Sequence, residues 1–379
     1  MIWLNQAATT FPKPRCVLDA HAAALSAPPE GQFRSADTRN GNGLDRCREN
    51  LGRLMGISAV DRIFFASGAT DATNALVNGL PLAEKRVLAT QTEHNSVLRP
   101  LMNLTDRVGS VEIVPCDPLG RVDPADAARM LSRPAAALFV NHCSNVTGMV
   151  QDIPALMEIA HRHGALLVLD ASQSAGCLPV DADVWSVDAL IFTGHKALFG
   201  PQGTGGYYVR PGVPIRPFRF GGTGRNSRQL TYDNGDYEYE VGTQNAPGIA
   251  ALNAGVEYVL ERGVNAIHAK ERGLMKALYE GLASVPGVTL YGDHARCHGP
   301  LLSFNIHGLT PSDVAYILSG SCGITVRAGH HCSPLVHAAM GTSERGTVRV
   351  SVSDLNTQAD IAALIAAVRE ISSSMEAAT

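Results

Sequence analysis

Lys196 and Asp170 are the pair in this sequence best placed to do chemistry. The lysine follows the apolar run 189–193 in Ile191-Phe192-Thr193-Gly194-His195-Lys196, and the aspartate ends Leu166-Leu167-Val168-Leu169-Asp170. An amine and a carboxylate at the ends of neighbouring strands suit pyridoxal phosphate, whose aldehyde condenses with a lysine and whose ring nitrogen requires an anion. A carboxylate there faces the crevice in which α/β sheets bind ligands. The competing readings are a helix cap for Asp170 and a solvated loop lysine for Lys196. Thr193 and His195 favour the first view, because their hydroxyl and imidazole can donate to the cofactor phosphate.

Three further stretches fit the same idea. Phe64-Phe65-Ala66-Ser67-Gly68-Ala69-Thr70-Asp71 passes from strand to helix through Gly68, offering the backbone N–H groups around Ala69 and the Thr70 hydroxyl to an anion. The same residues also read as an ordinary Ser/Thr helix cap. His94, in Thr92-Glu93-His94-Asn95, is positioned after a strand to lie on a cofactor ring and move protons with a near-neutral pKa, or else is a surface loop histidine. Gln173, three residues past Asp170, and Asn145 in Ser144-Asn145-Val146-Thr147 are within reach of the cofactor phenol oxygen.

Eight cysteines stand at 16, 47, 116, 143, 177, 297, 322 and 332 without C-x-x-C spacing, so most are expected to be reduced, buried and inert. Cys332 stands out in Arg327-Ala328-Gly329-His330-His331-Cys332. By spacing alone it is a buried thiol or, with His330, His331 and His337, a metal ligand. Adjacent histidines do not give zinc-site spacing, and no metal is expected. A thiol beside histidines is better explained as a nucleophile held as thiolate by a neighbouring imidazolium.

These residues need a scaffold that gathers strand ends. Runs at 62–66, 86–90, 111–115, 136–141, 166–170, 189–193 and 206–210 read as strands, most of them continuously apolar as burial on both faces requires. Helical stretches at 69–80, 124–132 and 153–163 fill the gaps, which predicts an α/β fold with a mostly parallel sheet flanked by helices. The segment 216–248, rich in Gly, Asn, Tyr and Asp, reads as a long functional loop. Beyond it, helices at 249–260, 266–282 and 312–318, strands at 301–306 and 348–352 and a terminal helix predict a smaller α+β domain. At 379 residues with 45% hydrophobic content, two domains are expected: 16–250 and 251–379, with 1–15 packing against the second.

Thirty-one basic against 35 acidic residues, without a run of either sign, give no reason to expect a nucleic-acid partner, and no segment has membrane-span length. The start of the chain carries no basic-then-apolar leader, so a cytoplasmic protein is expected.

In order and spacing these motifs resemble the class V aminotransferase branch of the fold type I pyridoxal phosphate enzymes, and the cysteine desulfurases in particular. The resemblance runs from Leu4-Asn5-Gln6-Ala7-Ala8-Thr9-Thr10 through Ser67 to Thr70, Thr92 to Asn95, Asp170-Ala171-Ser172-Gln173 and Thr193 to Lys196, ending at Arg349-Val350-Ser351. Gly242-Thr243-Gln244-Asn245 resembles the family segment that reaches into a partner subunit's phosphate site. The segment 327–332 resembles the short catalytic loop of group II desulfurases and selenocysteine lyases.

The resemblance implies a homodimer that uses pyridoxal phosphate to convert L-cysteine to L-alanine. Lys196 anchors the cofactor and removes the substrate Cα proton, Asp170 pairs with the ring nitrogen, His94 stacks and assists, and Cys332 receives the sulfur as a persulfide for an acceptor protein. Asn145, His331 and Arg349 bind the substrate, Arg349 by a two-pronged ion pair to its carboxylate; a structural ion pair is the other reading of Arg349. L-selenocysteine is the alternative substrate, and an aminotransferase, epimerase or C–S lyase the alternative activity, with a silent sulfur carrier as a rival of another class. Two departures bear on substrate preference and dimer-linked details. Asn5-Gln6 stands where relatives have Asp-Asn, and 34–40 lacks a histidine that relatives often carry.

Overall fold

The computed structural model describes residues 1–27, 43–104, 106–223, 228–232, 238–293, 295–296 and 299–376. The departure at 34–40 and Cys297 lie outside them. A seven-stranded sheet runs in the order Ile63–Ala66, Gly205–Val209, Ala189–Thr193, Leu166–Asp170, Ala137–Asn141, Arg86–Thr90, Ser110–Val114. Only Gly205–Val209 runs against its neighbours; the remaining pairs are parallel, as expected.

The continuous apolar runs follow from two-sided burial. Leu138, Val140, Leu167, Leu169, Leu190 and Phe192 face one hydrophobic core, while Ala137, Phe139, Val168, Ala189 and Ile191 face another across the sheet. Strand alternation leaves both faces apolar and confines polar chemistry to strand ends. Thr90, Asn141, Asp170 and Thr193 therefore share the carboxyl edge, with Asn141 in register beside Asp170.

A second sheet, antiparallel throughout, orders Arg327–Gly329, Thr347–Ser351, Leu301–Ile306 and Val288–Tyr291. Helices Val264–Ala283, Pro311–Cys322 and Gln358–Glu376 accompany it, and Leu274, Val314, Leu364, Val348 and Val350 share one core with Leu4. The helix Ala246–Arg262 crosses residue 250 without a break, and its Ile249, Val256 and Val259 belong to the first core.

The N-terminal segment ties the two parts together. Ile2–Trp3 pairs with Ile324–Thr325, Ala7 N–H donates to Ser351 Oγ at 2.9 Å, and Thr10 N–H donates to the His195 carbonyl at 3.0 Å. No described helix is long and apolar enough to cross a membrane.

Candidate active site

The strand-to-helix turn at Gly68 is shaped by two glycines. Gly68 stands at φ 148°, a conformation essentially reserved to glycine, and starts the helix Ala69–Gly79 with no side-chain cap. The Ser/Thr cap reading is thereby corrected: Thr70 is exposed and does not bind its own helix, so the first N–H groups remain available. Gly205 packs so tightly that a Cβ there would lie 2.8 Å from Gly68 Cα, while a Cβ on Gly68 would lie 3.8 Å from Thr193 Oγ1. Thr193 thus presents its hydroxyl beside the helix N-terminus.

Lys196 follows three residues after Thr193. Burial pulls its ammonium down to about 8, with Arg349 and Arg327 adding to the fall and Asp170 opposing it. Asp170 is 3% exposed; its Oδ1 accepts the Ser172 N–H at 2.9 Å, so it does cap the next turn, and no described hydrogen bond reaches Oδ2. The carbonyl of His195 accepts from Thr10 N–H, from the Thr9 and Thr10 hydroxyls at 3.1 and 3.2 Å, and from Lys13 Nζ at 3.1 Å. Four donors on one carbonyl fix the backbone that carries Lys196.

His94 caps the helix Asn95–Asn103, its Nδ1 accepting the Ser96 N–H at 2.9 Å, which leaves the ring proton on Nε2. Burial and the positive charges of Lys196, Arg327, Arg349 and Arg99 push its pKa down to about 3. The near-neutral histidine expected from the sequence is replaced by one that stays uncharged. Gln173 is buried and donates to the Ala7 carbonyl at 3.1 Å.

The second part of the fold brings Cys332 to these strand ends. Asn95 N–H donates to the Cys332 carbonyl at 2.7 Å, docking the cysteine loop on the His94 turn. Asn145 clamps the same loop: its Nδ2 donates to the His331 carbonyl at 2.8 Å and its Oδ1 accepts from Ser333 Oγ at 2.7 Å. His331 and Cys332 both take left-handed backbone, φ 51° and 59°, which turns the thiol outward. Cys332 is exposed, and its sulfur lies 3.8 Å from Arg327 Nη2.

One expectation about this loop is corrected. Burial holds the His331 and His337 imidazoles down at about 2 and about 4, so the cation touching the thiol is Arg327, not an imidazolium of these two. His331 turns its Nε2 to Thr347 Oγ1 at 3.0 Å, and its Nδ1 is buried without a partner. Burial of most cysteines is also not found: of the seven described, Cys47, Cys143 and Cys177 are buried, whereas Cys16, Cys322 and Cys332 are exposed.

Arg349 is 1% exposed, with Nη1 donating to the Asn145 carbonyl at 2.9 Å and Nη2 to Asn5 Oδ1 at 3.4 Å. Its Nε has no partner and, among the described residues, it forms no ion pair; burial and then Arg327 pull its pKa down to about 9. An unpaired buried guanidinium calls for an anion. Thr243, by contrast, lies exposed on the surface. Arg327, Ser172 and Glu93 carried no assigned role in the sequence; the register pairing of Arg327 with Arg349 was the one signal that a strand assignment for 327–329 would have supplied.

A lysine at a strand-end crevice, an aspartate on the next strand and an anion-ready helix N-terminus define an α/β cofactor enzyme of the pyridoxal phosphate kind. The sequence matches Aminotransferase class-V over residues 2–364, and the chain belongs to that family. It is 34% identical over 336 residues to a probable cysteine desulfurase of Methanothermobacter thermautotrophicus, covering 86% of this chain and 83% of that protein. It is 29% identical to a cysteine desulfurase of Synechococcus elongatus over 98% of this chain, which spans 60% of that longer protein. The structure resembles the apo cysteine desulfurase of Thermococcus onnurineus with a TM-score of 0.86 at 28% identity, covering 98% and 95% of the two chains.

The family uses pyridoxal phosphate, and the residues here fit it. His195 Nδ1 and Ser172 Oγ are buried without a hydrogen-bond partner, the Ala69–Gly79 helix is uncapped, and Asp170 Oδ2 and the Lys196 amine are free for a ring nitrogen and an aldehyde.

Proposed function

We propose that the protein is a pyridoxal phosphate-dependent cysteine desulfurase, in which L-cysteine and the Cys332 thiol give L-alanine and a Cys332 persulfide. The observation that carries this reading is the docking of Cys332: an exposed sulfur beside Arg327, on a loop held by the Asn95 N–H and the Asn145 side chain against the turn that bears His94. The relatives named above support it. When bound, pyridoxal phosphate supplies an electrophilic carbon and a ring that accepts the electrons of the substrate Cα–H bond.

The chain's own residues divide the remaining work. Ala69 and Thr70 at the helix N-terminus, with Thr193, His195 and Ser172, would hold the phosphate and Asp170 would pair with the ring nitrogen, while Asn145, whose amide holds the Cys332 loop, contributes through that loop rather than at the phenol oxygen expected from sequence. Thr243, on the surface, serves the corresponding site of a second copy. Arg349 takes the substrate carboxylate in place of the anion it lacks, and the neutral Lys196 amine accepts the Cα proton. His94, with its proton fixed on Nε2, stacks on the ring as a neutral donor. Cys332, exposed beside Arg327, takes the substrate sulfur and offers it to an acceptor protein at the surface.

Mass analysis of Cys332 and measurement of alanine after mixing with L-cysteine tests the reading. Cys332→Ala is expected to keep the cofactor's visible absorption and to lose both products. Full alanine release from that variant would move the enzyme to C–S lyase or aminotransferase chemistry, and turnover confined to L-selenocysteine would make it a selenocysteine lyase.

A further inference from the structure

Glu93 lies beneath the cofactor crevice and takes no part in the functions assigned above. Its side chain is completely buried, Oε1 accepts a 2.6 Å hydrogen bond from Thr90 Oγ1, and Oε2 has no partner. Among the described residues it joins no ion pair. The charged group it faces is Asp170, which lies close enough to repel it; the other elements packed on it offer the Thr90 and Thr92 hydroxyls, themselves 3.0 Å apart, and Asn141. Asn141 is in register with Asp170, and its Oδ1 is likewise buried without a donor.

An ionised carboxylate enclosed this way, with only the Thr90 hydroxyl and the Asn141 backbone N–H to stabilise it and a like charge beside it, is disfavoured. A proton on Oε2 removes that conflict and turns an orphaned acceptor into a donor. We propose that Glu93 is a positioning residue protonated at neutral pH, a neutral acid that supports the Thr90, Asn141 and His94 turns while leaving Asp170 the sole negative charge under the cofactor ring. Burial, with the Asp170 charge second, raises the Glu93 carboxyl to about 8, in line with that state.

The consequence for the ring rests on the pyridoxal phosphate reading; the protonation state itself does not. Two negative charges side by side would compete for the ring-nitrogen proton and raise the basicity of the cofactor-bound amine. With Glu93 neutral, Asp170 keeps its full attraction for that nitrogen.

Infrared difference spectroscopy between wild type and Glu93→Gln, on protein freed of cofactor, reads the carboxyl directly. A carbonyl band of a protonated acid at neutral pH, absent from the variant, is the expected result. In the loaded protein, Glu93→Gln is expected to leave the pH midpoint of the visible absorption unmoved, because glutamine copies a neutral acid, whereas Glu93→Asp, which withdraws the group from Thr90, shifts it. Absence of the protonated-acid band, or a downward shift of the midpoint in Glu93→Gln from loss of a negative charge, overturns the proposal. Failure of L-cysteine turnover sinks the desulfurase reading and leaves the infrared result standing.

Discussion

Arg327 and Arg349 sit directly opposite each other on adjacent antiparallel strands, and neither has a carboxylate partner among the described residues. Like charges in register are unfavourable, so the pair marks a place where anions are expected to arrive. Arg349 is buried and aimed at the Asn145 carbonyl; Arg327 is half-exposed and reaches the Cys332 sulfur. One cation is thus buried against the Asn145 carbonyl and the other lies beside the thiol.

For Arg349→Lys the second prong of a two-pronged ion pair is lost. The expected cost is about 1.5–3 kcal/mol, roughly 10- to 150-fold in kcat/KM, carried mainly by KM. Steady-state kinetics on L-cysteine checks this, and an unchanged KM would remove Arg349 from the substrate carboxylate.

Arg327→Gln is expected to slow alkylation of Cys332 by iodoacetamide at neutral pH while visible absorption stays intact, because the cation nearest the sulfur is gone. Site-resolved mass analysis of labelling separates Cys332 from exposed Cys16 and Cys322.

Reloading of the cofactor-free protein follows the neutral fraction of Lys196. With that amine pulled down to about 8, the rate at which visible absorption appears is expected to rise with pH and level off above about 8, and Lys196→Ala is expected to remain colourless. A rate that climbs unchanged toward the ordinary lysine range would contradict the buried setting.

Acid is expected to destabilise the fold. His142, His331 and His337, exposed by no more than 3%, have folded pKa values lowered to about 4, about 2 and about 4. Below the ordinary histidine range the unfolded chain takes up protons that the folded chain refuses, so stability falls as pH drops from about 6.5. At pH 5 the loss is at most about 2 kcal/mol for each, read as a fall in the urea midpoint.

Gly205→Ala is expected to displace the phosphate turn, since its Cβ would meet Gly68 Cα and the Phe192 carbonyl, both at 2.8 Å. Overpacking of this kind costs about 1–3 kcal/mol. Thermal unfolding and the dissociation constant for pyridoxal phosphate are both expected to worsen; a change in stability alone would show that the turn adjusts.

The strands 86–90, 166–170 and 189–193 were legible to the residue because burial on both faces demands an unbroken apolar run. The helix Asn95–Asn103 was not, because Pro100 interrupts its pattern. The helices Arg15–Ser26 and Gly43–Met55 were not assigned, and the two-residue ladder at Ile2–Trp3 is too short to leave a periodic signal. Lys196, Asp170 and Cys332 were readable from their neighbours in sequence. The neutral histidines and the Arg327 contact were not, because they depend on burial and on which strands meet. Likewise, Asn145 was placed near the cofactor by sequence, but its grip on the Cys332 loop is visible only once the two parts of the fold come together.

The strap formed by residues 2–13 has a consequence for how the molecule is made. Leu4 shares a core with Val348 and Val350, its carbonyl accepts the Ser351 N–H, and Thr10 and Lys13 rest on the backbone before Lys196. Ala7 and Ser351 therefore meet across 344 positions of sequence, a contact of long separation and so a slow one to close. The large sheet closes on contacts of shorter separation, whereas the segment that rests on the backbone before Lys196 is fixed only when these distant partners meet.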